Sequence, residues 1–186
     1  RHVKHSDKRE RLIDAGRVLF HRRGFGETSL AYIARESGVP VGNVYYYFKT
    51  KEDIAAAVIE QYRVHMAGIA QVAEKRPTAR ERILSMLDSL ACDCDAIAHS
   101  GCPMGSLCVE FGKRDTALRE EANRLLLRMI EWVERQFAGM ARTDARALAI
   151  QLVSTVQGAS VLALAMHDPG ILRQELARMK TVVEAL

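Results

Sequence analysis

Apolar positions recur every three to four residues along almost the whole chain, the period of a helix that turns one face inward. With only four prolines, turns are too scarce for a sheet of many short strands. The pattern therefore predicts an all-α fold of about nine helices. The first is expected from about Asp7 to Arg23, with Asp7 and Glu10 in capping-box spacing, an inner stripe of Leu12, Gly16, Leu19 and Phe20, and a stop at Gly24. Thr28-Ser29 are cap residues for a short helix that turns Leu30, Ile33 and Ala34 inward and closes at Ser37-Gly38. Pro40 suits the first turn of another short helix, running to about Tyr46. A longer amphipathic helix follows from Lys51 to about Ala73, until Arg76-Pro77-Thr78 breaks it.

Beyond that break, helices are expected at about 78–98, 103–112, 115–138, 143–166 and 169–185. The segment from Ala145 to Ala165 carries almost no charge after Arg146 and has small or aliphatic residues on every face. A helix apolar all round is expected to be buried all round, as a central core helix or as one shared with a second copy of the chain.

At 186 residues the chain is one large domain or two small ones. Its usage, 48 % hydrophobic and 27 % charged, is that of a globular protein and not of a disordered chain, and no run of about 18 apolar residues argues for a membrane span. The formal charge of +4 is unevenly placed. Residues 1–51 hold eleven Lys/Arg against five Asp/Glu, a net +6, which leaves −2 on the remainder. A basic head fits an anionic partner and a neutral body does not need one. The expected division is a basic head at 1–51 and a near-neutral body at 52–186. With no apolar leader at the amino end, a cytoplasmic protein with free thiols is expected.

The stretch Thr28 to Lys51 carries most of the chemistry. Two short helices joined by Ser37-Gly38-Val39 make a helix-turn-helix, a unit that sets its second helix into the major groove. Pro40, Val41, Gly42 and Asn43 form the leading turn of that second helix, small enough to approach base edges, and Asn43 can donate and accept there. Tyr45, Tyr46 and Tyr47 splay about 100° apart, so at least one phenol faces out toward phosphate and sugar. Lys51 adds a cation at the start of the next helix, and Thr28 and Ser29 offer hydroxyls at the start of the first short one.

The series Thr28-Ser29, Ile33-Ala34, Gly38-Val39, Gly42, Tyr45, Phe48 and Lys51 resembles the amino-terminal pattern of the TetR family of bacterial transcription regulators. The resemblance implies an all-α homodimer whose first three helices bind DNA, while the rest bind a small effector and dimerise. It implies DNA contact by Ser29, Val41, Gly42, Asn43, Tyr45, Tyr46, Tyr47 and Lys51. Ala31 and Val41 stand where members often carry longer polar side chains, so direct base reading is expected to be sparse. The function expected is that of a sequence-specific repressor, released from its operator by a small molecule, with no catalytic residues, cofactor or metal.

Four cysteines, Cys92, Cys94, Cys102 and Cys108, crowd into one stretch. On one helix Cys92 and Cys94 would lie about 200° apart, and Cys94, His99 and Cys102 fit no strong zinc spacing. Pro103 at a first helical position would put Cys102 at the N-cap, where the helix favours a thiolate. Gly101 to Glu110 also resembles a stretch found in some branches of the same family, one of which senses electrophiles through a cysteine. A thiol-sensing regulator acting through Cys102 is thus one alternative, against a Cys102 that only caps and a Cys108 that only packs. A Cys102-His99 enzyme and a helical adaptor are the alternatives from other classes. For an effector pocket the candidates are Met86, Leu90, Cys102, Phe111, Leu126, Met129, Trp132, Val153 and Gln157, mostly apolar with few polar groups. For the dimer face they are Ala149, Leu152, Val156, Ala159 and Ala163 with Leu172, Leu176, Met179 and Val183.

Overall fold

The computed structural model describes residues 2–114 and 117–186. Among them are ten helices: α1 (His2–Arg23), α2 (Leu30–Ser37), α3 (Val41–Tyr47), α4 (Lys51–Glu74), α5 (Ala79–Ala91), α6 (Cys94–Ser100), α7 (Pro103–Gly112), α8 (Ala117–Gly139), α9 (Ala145–Met166) and α10 (Pro169–Ala185). The all-helical reading holds. The start at Asp115 expected for the helix that is α8 lies outside the described residues.

Two elements differ from their sequence patterns. Helix α1 begins at His2, so Asp7 sits in its second turn and faces Arg11 at i,i+4 instead of capping the end. The single helix expected over 78–98 is two, because Cys92 and Asp93 turn the backbone and let Cys94 open α6 with its side chain buried. At the front of α5 the pattern reads true: the Thr78 hydroxyl accepts from the Glu81 N–H, and the Glu81 carboxylate accepts from the Thr78 N–H.

The helices sort into two compact units. The first comprises 1–63 with 106–123, the second 64–105 with 124–186. Unit one buries Leu12, Phe20, Ile33, Val44, Ile54 and Val58 around α1, α2, α3 and the front of α4, with Phe25 and Phe111 ring to ring at 4.8 Å. Unit two is built on α9 and α10, which pack on each other and on α5 and α6. Exposed ion pairs tie Asp88 to Lys180 and Asp95 to Arg173, and such pairs add little to stability.

Within the single chain helix α9 is buried on one side only, which sets aside the central-core alternative but not the one shared with a second copy. Its inner stripe, from Ala149 through Val156 to Ala163, is core, but Ile150, Val161, Leu162 and Met166 stand exposed. By length and composition it is apolar enough to cross a membrane, contrary to the absence of such a segment expected from sequence. The packed inner stripe is that of a core helix with one apolar side left open.

Candidate nucleic-acid interface

The corner between α2 and α3 depends on one glycine. Gly38 adopts φ +64°, and its N–H and that of Val39 close the end of α2 on the carbonyls of Arg35 and Ala34. Arg11, reaching from α1, donates to the Ser37 carbonyl, and a Cβ on Gly38 would sit 2.8 Å from its guanidinium nitrogen. Gly38→Ala should therefore cost about 1 to 2 kcal/mol for the left-handed backbone, read as a lower thermal midpoint. A midpoint equal to that of the parent protein would refute this account of the turn.

Helix α3 is anchored by Val44, which is fully buried, and by Phe48 just after it. The other side of α3 is open: Pro40, Val41, Gly42, Asn43, Tyr45 and Tyr46 are all exposed, Tyr46 at 72 %. Tyr47 is half-buried and meets Tyr46 edge to face at 5.1 Å. Ser29 caps α2 by accepting from the Tyr32 N–H and remains exposed. These residues form one surface of small side chains, an amide and phenols, flanked by cations. Lys49 donates to the Tyr45 carbonyl at 2.7 Å. Arg23 and Arg35 lie 4.6 and 5.3 Å from the Tyr32 ring, a cluster that sequence reading passed over. Its signal was an exposed aromatic on a short helix with a cation at i+3.

Two expected contact residues belong elsewhere. Thr28 is 2 % exposed, and its hydroxyl donates to the Gly24 carbonyl, so packing has removed it from the surface. The Lys51 ammonium donates to the carbonyls of Phe25 and Thr28, each at 2.7 Å, and lies 4.1 Å from the Phe25 ring centre. Burial pushes its pKa below the ordinary lysine value. Lys51 thus holds the 24–28 turn instead of standing free for a phosphate. The same turn is held on its N–H side: Glu110 accepts from Phe25 at 2.7 Å and from Gly26 at 2.6 Å. No local pattern marks Glu110, because its partners lie more than eighty residues away.

Of the pocket candidates, Phe111 is corrected, because it is buried against Phe25 in unit one. Met86, Leu90, Met129, Trp132 and Val153 are buried in unit two, and Leu126 is half-buried. The Trp132 indole donates to Glu74 at 3.1 Å, while the Gln157 amide donates to the Cys102 sulfur at 3.5 Å. Cys102 precedes α7 and accepts from the Gly105 N–H at 3.5 Å, the capping role. The Cys108 thiol donates to the Ala122 carbonyl. Burial raises the Cys94 thiol above its ordinary value, away from a reactive thiolate.

The nine expected dimer residues are corrected as a set. Ala149, Leu152, Val156, Ala159, Ala163, Leu172, Leu176, Met179 and Val183 are all 6 % exposed or less within the single chain, so they form its own core. The apolar face left free on α9 and α10 is the opposite one, with Ile150, Val161, Leu162 and Val182.

A glycine-cornered pair of short helices with an exposed second helix defines a helix-turn-helix DNA-binding protein. Residues 12–58 match bacterial regulatory proteins of the tetR family, and residues 79–177, more than half of the chain, match the LmrA/YxaF-like transcriptional regulator C-terminal domain. The chain belongs to the TetR family and is a transcription regulator, not an enzyme. It is 27 % identical over 182 residues to the HTH-type transcriptional regulator LmrA of Bacillus subtilis, covering 96 % of this chain and 92 % of that one. A TetR regulator structure from Legionella pneumophila superposes with a TM-score of 0.84 at 21 % identity, over 93 % of this chain and 95 % of that one. The repressor NemR of Escherichia coli is 36 % identical over 62 residues, 33 % of this chain and 31 % of its own length. That partial likeness does not favour the cysteine-sensing alternative, and the enzyme alternative is set aside with the family.

Proposed function

We propose that the chain is a cytoplasmic, homodimeric repressor that binds an operator through α3 and leaves it when a small molecule occupies the effector domain. The observation that carries the reading is the open face of α3, where Val41, Gly42, Asn43, Tyr45 and Tyr46 are exposed while Val44 anchors the helix from behind. Asn43 supplies paired donor and acceptor for a base edge, and the phenols and Ser29 suit phosphates. Residues 1–51 and 52–186 divide the labour between DNA and effector, with Met86, Leu90, Leu126, Met129, Trp132 and Val153 as the apolar candidates for the latter. Family members bind DNA operators and are typically dimeric with a ligand-binding carboxy-terminal domain, which supports the same assignment here. The open stripe of α9, continued by Val182 of α10, is the face proposed for the second copy.

Effector binding would act by population shift, favouring a dimer in which the two recognition helices are wrongly spaced for the operator. The test is selection from random duplex DNA followed by a salt titration. An enriched two-fold sequence is expected, and if about six phosphates are met per dimer the log–log salt slope should lie near −5. No enrichment, or affinity indifferent to salt, would sink the reading.

A further inference from the structure

The segment Gly24 to Thr28 joins α1 to α2 and sets where α2 begins. Gly24 takes φ +80° with its N–H on the Phe20 carbonyl, and the Thr28 N–H and hydroxyl return to Phe25 and Gly24. Two charged groups from distant parts of the chain then hold it from opposite chemical sides. Lys51 takes its carbonyls, and Glu110 takes its amides. Each carboxylate oxygen receives one N–H, a fork that fixes direction as well as distance. Arg114 stands 4.0 Å from the same carboxylate, and Phe111, next in sequence, packs on Phe25. Residues 106–123 accordingly cluster with 1–63 in one compact unit.

We propose that Glu110 is a positioning residue for operator binding. Helix α2 has eight residues, too few to hold itself, so its attitude comes from what its ends are tied to. Ser29, the cap of α2, follows directly on the turn that Glu110 grips, and α3 packs on α2. The DNA-reading head is therefore completed by a carboxylate from the second half of the chain. Any event that draws residues 106–112 from the turn removes both acceptors together and lowers operator affinity, without touching a group that meets DNA.

This inference rests on the operator-binding reading, and the experiment separates the two. Glu110→Ala and Glu110→Gln would be compared with the parent protein on a duplex selected by the parent, with salt titrations, thermal melts and amide exchange at Phe25 and Gly26. Loss of a charged acceptor should weaken binding about tenfold or more in Glu110→Ala, and less in Glu110→Gln, which keeps one carbonyl oxygen. The salt slope should stay unchanged, because no phosphate contact is lost, and both amides should exchange faster. A merely structural role would lower the melting point and leave the affinity of the folded protein as it was. Binding by both variants within about twofold of the parent, or a loss that only tracks the unfolded fraction, overturns the proposal. If Glu110→Ala does not fold, Glu110→Gln and the parent's exchange decide, and unprotected Phe25 and Gly26 amides in the parent overturn it. A parent that selects no duplex overturns the function and this inference together, whereas a binding parent with unaffected variants overturns this inference alone.

Discussion

Gly42→Asp is expected to abolish operator binding while the protein stays folded. Gly42 lies on the open face of α3, and a Cβ built there meets nothing within 4 Å. The interior has no objection to the new side chain. Within a helix, replacing glycine even favours the fold by a few tenths of a kcal/mol. In the proposed complex the position faces an anionic groove, so a carboxylate would meet like charge, and such juxtapositions cost several kcal/mol. A loss of about a hundredfold or more is expected, since about 2.7 kcal/mol suffices for that. Gel shift of the selected duplex reads the affinity and circular dichroism reads the fold. Retained binding with a native melt would mean that α3 is not the face that reads DNA.

The second large effect separates the two faces of α9. Val161→Glu is expected to turn the proposed dimer into a monomer with its helices intact, whereas Ala159→Glu, two residues away, should unfold unit two. Val161 is 65 % exposed in the single chain, so a carboxylate there harms only a partner seated on it. At 4 % exposed, Ala159 lies against α9's own neighbours, and an unpaired charge in that site costs more than the domain can spare. Sedimentation velocity and thermal melts distinguish the outcomes. A Val161→Glu protein that still sediments as a dimer would remove this stripe from the interface.

The same contrast shows where sequence reading fails. Periodicity says that α9 is apolar on all sides, and it cannot say which side the chain itself covers, because small and aliphatic residues serve core and interface equally well. The cleanest apolar stripe, expected at the dimer face, is the one the chain itself covers. Phe111 fails likewise: an aromatic in a middle helix looks like a pocket wall until its partner, Phe25, is seen. Thr28 and Lys51 carry the right chemistry for a phosphate at the right spacing, but burial decides what they touch. The helix expected over 78–98 breaks at Cys92-Asp93 without a glycine or proline to mark it.

The sequence by itself determined the all-helical class, the boundaries of α2, α4, α7, α9 and α10 to within two residues or so, and the helix-turn-helix with its glycine corner. These are local facts, written in caps, periods and one residue that tolerates positive φ. Only the tertiary structure decided which face of α9 is free, that Lys51 and Glu110 grip one turn from its two chemical sides, and that residues 106–123 cluster with the DNA-reading head. Each of those depends on groups brought together across dozens of residues, where spacing along the chain carries no information about distance in space.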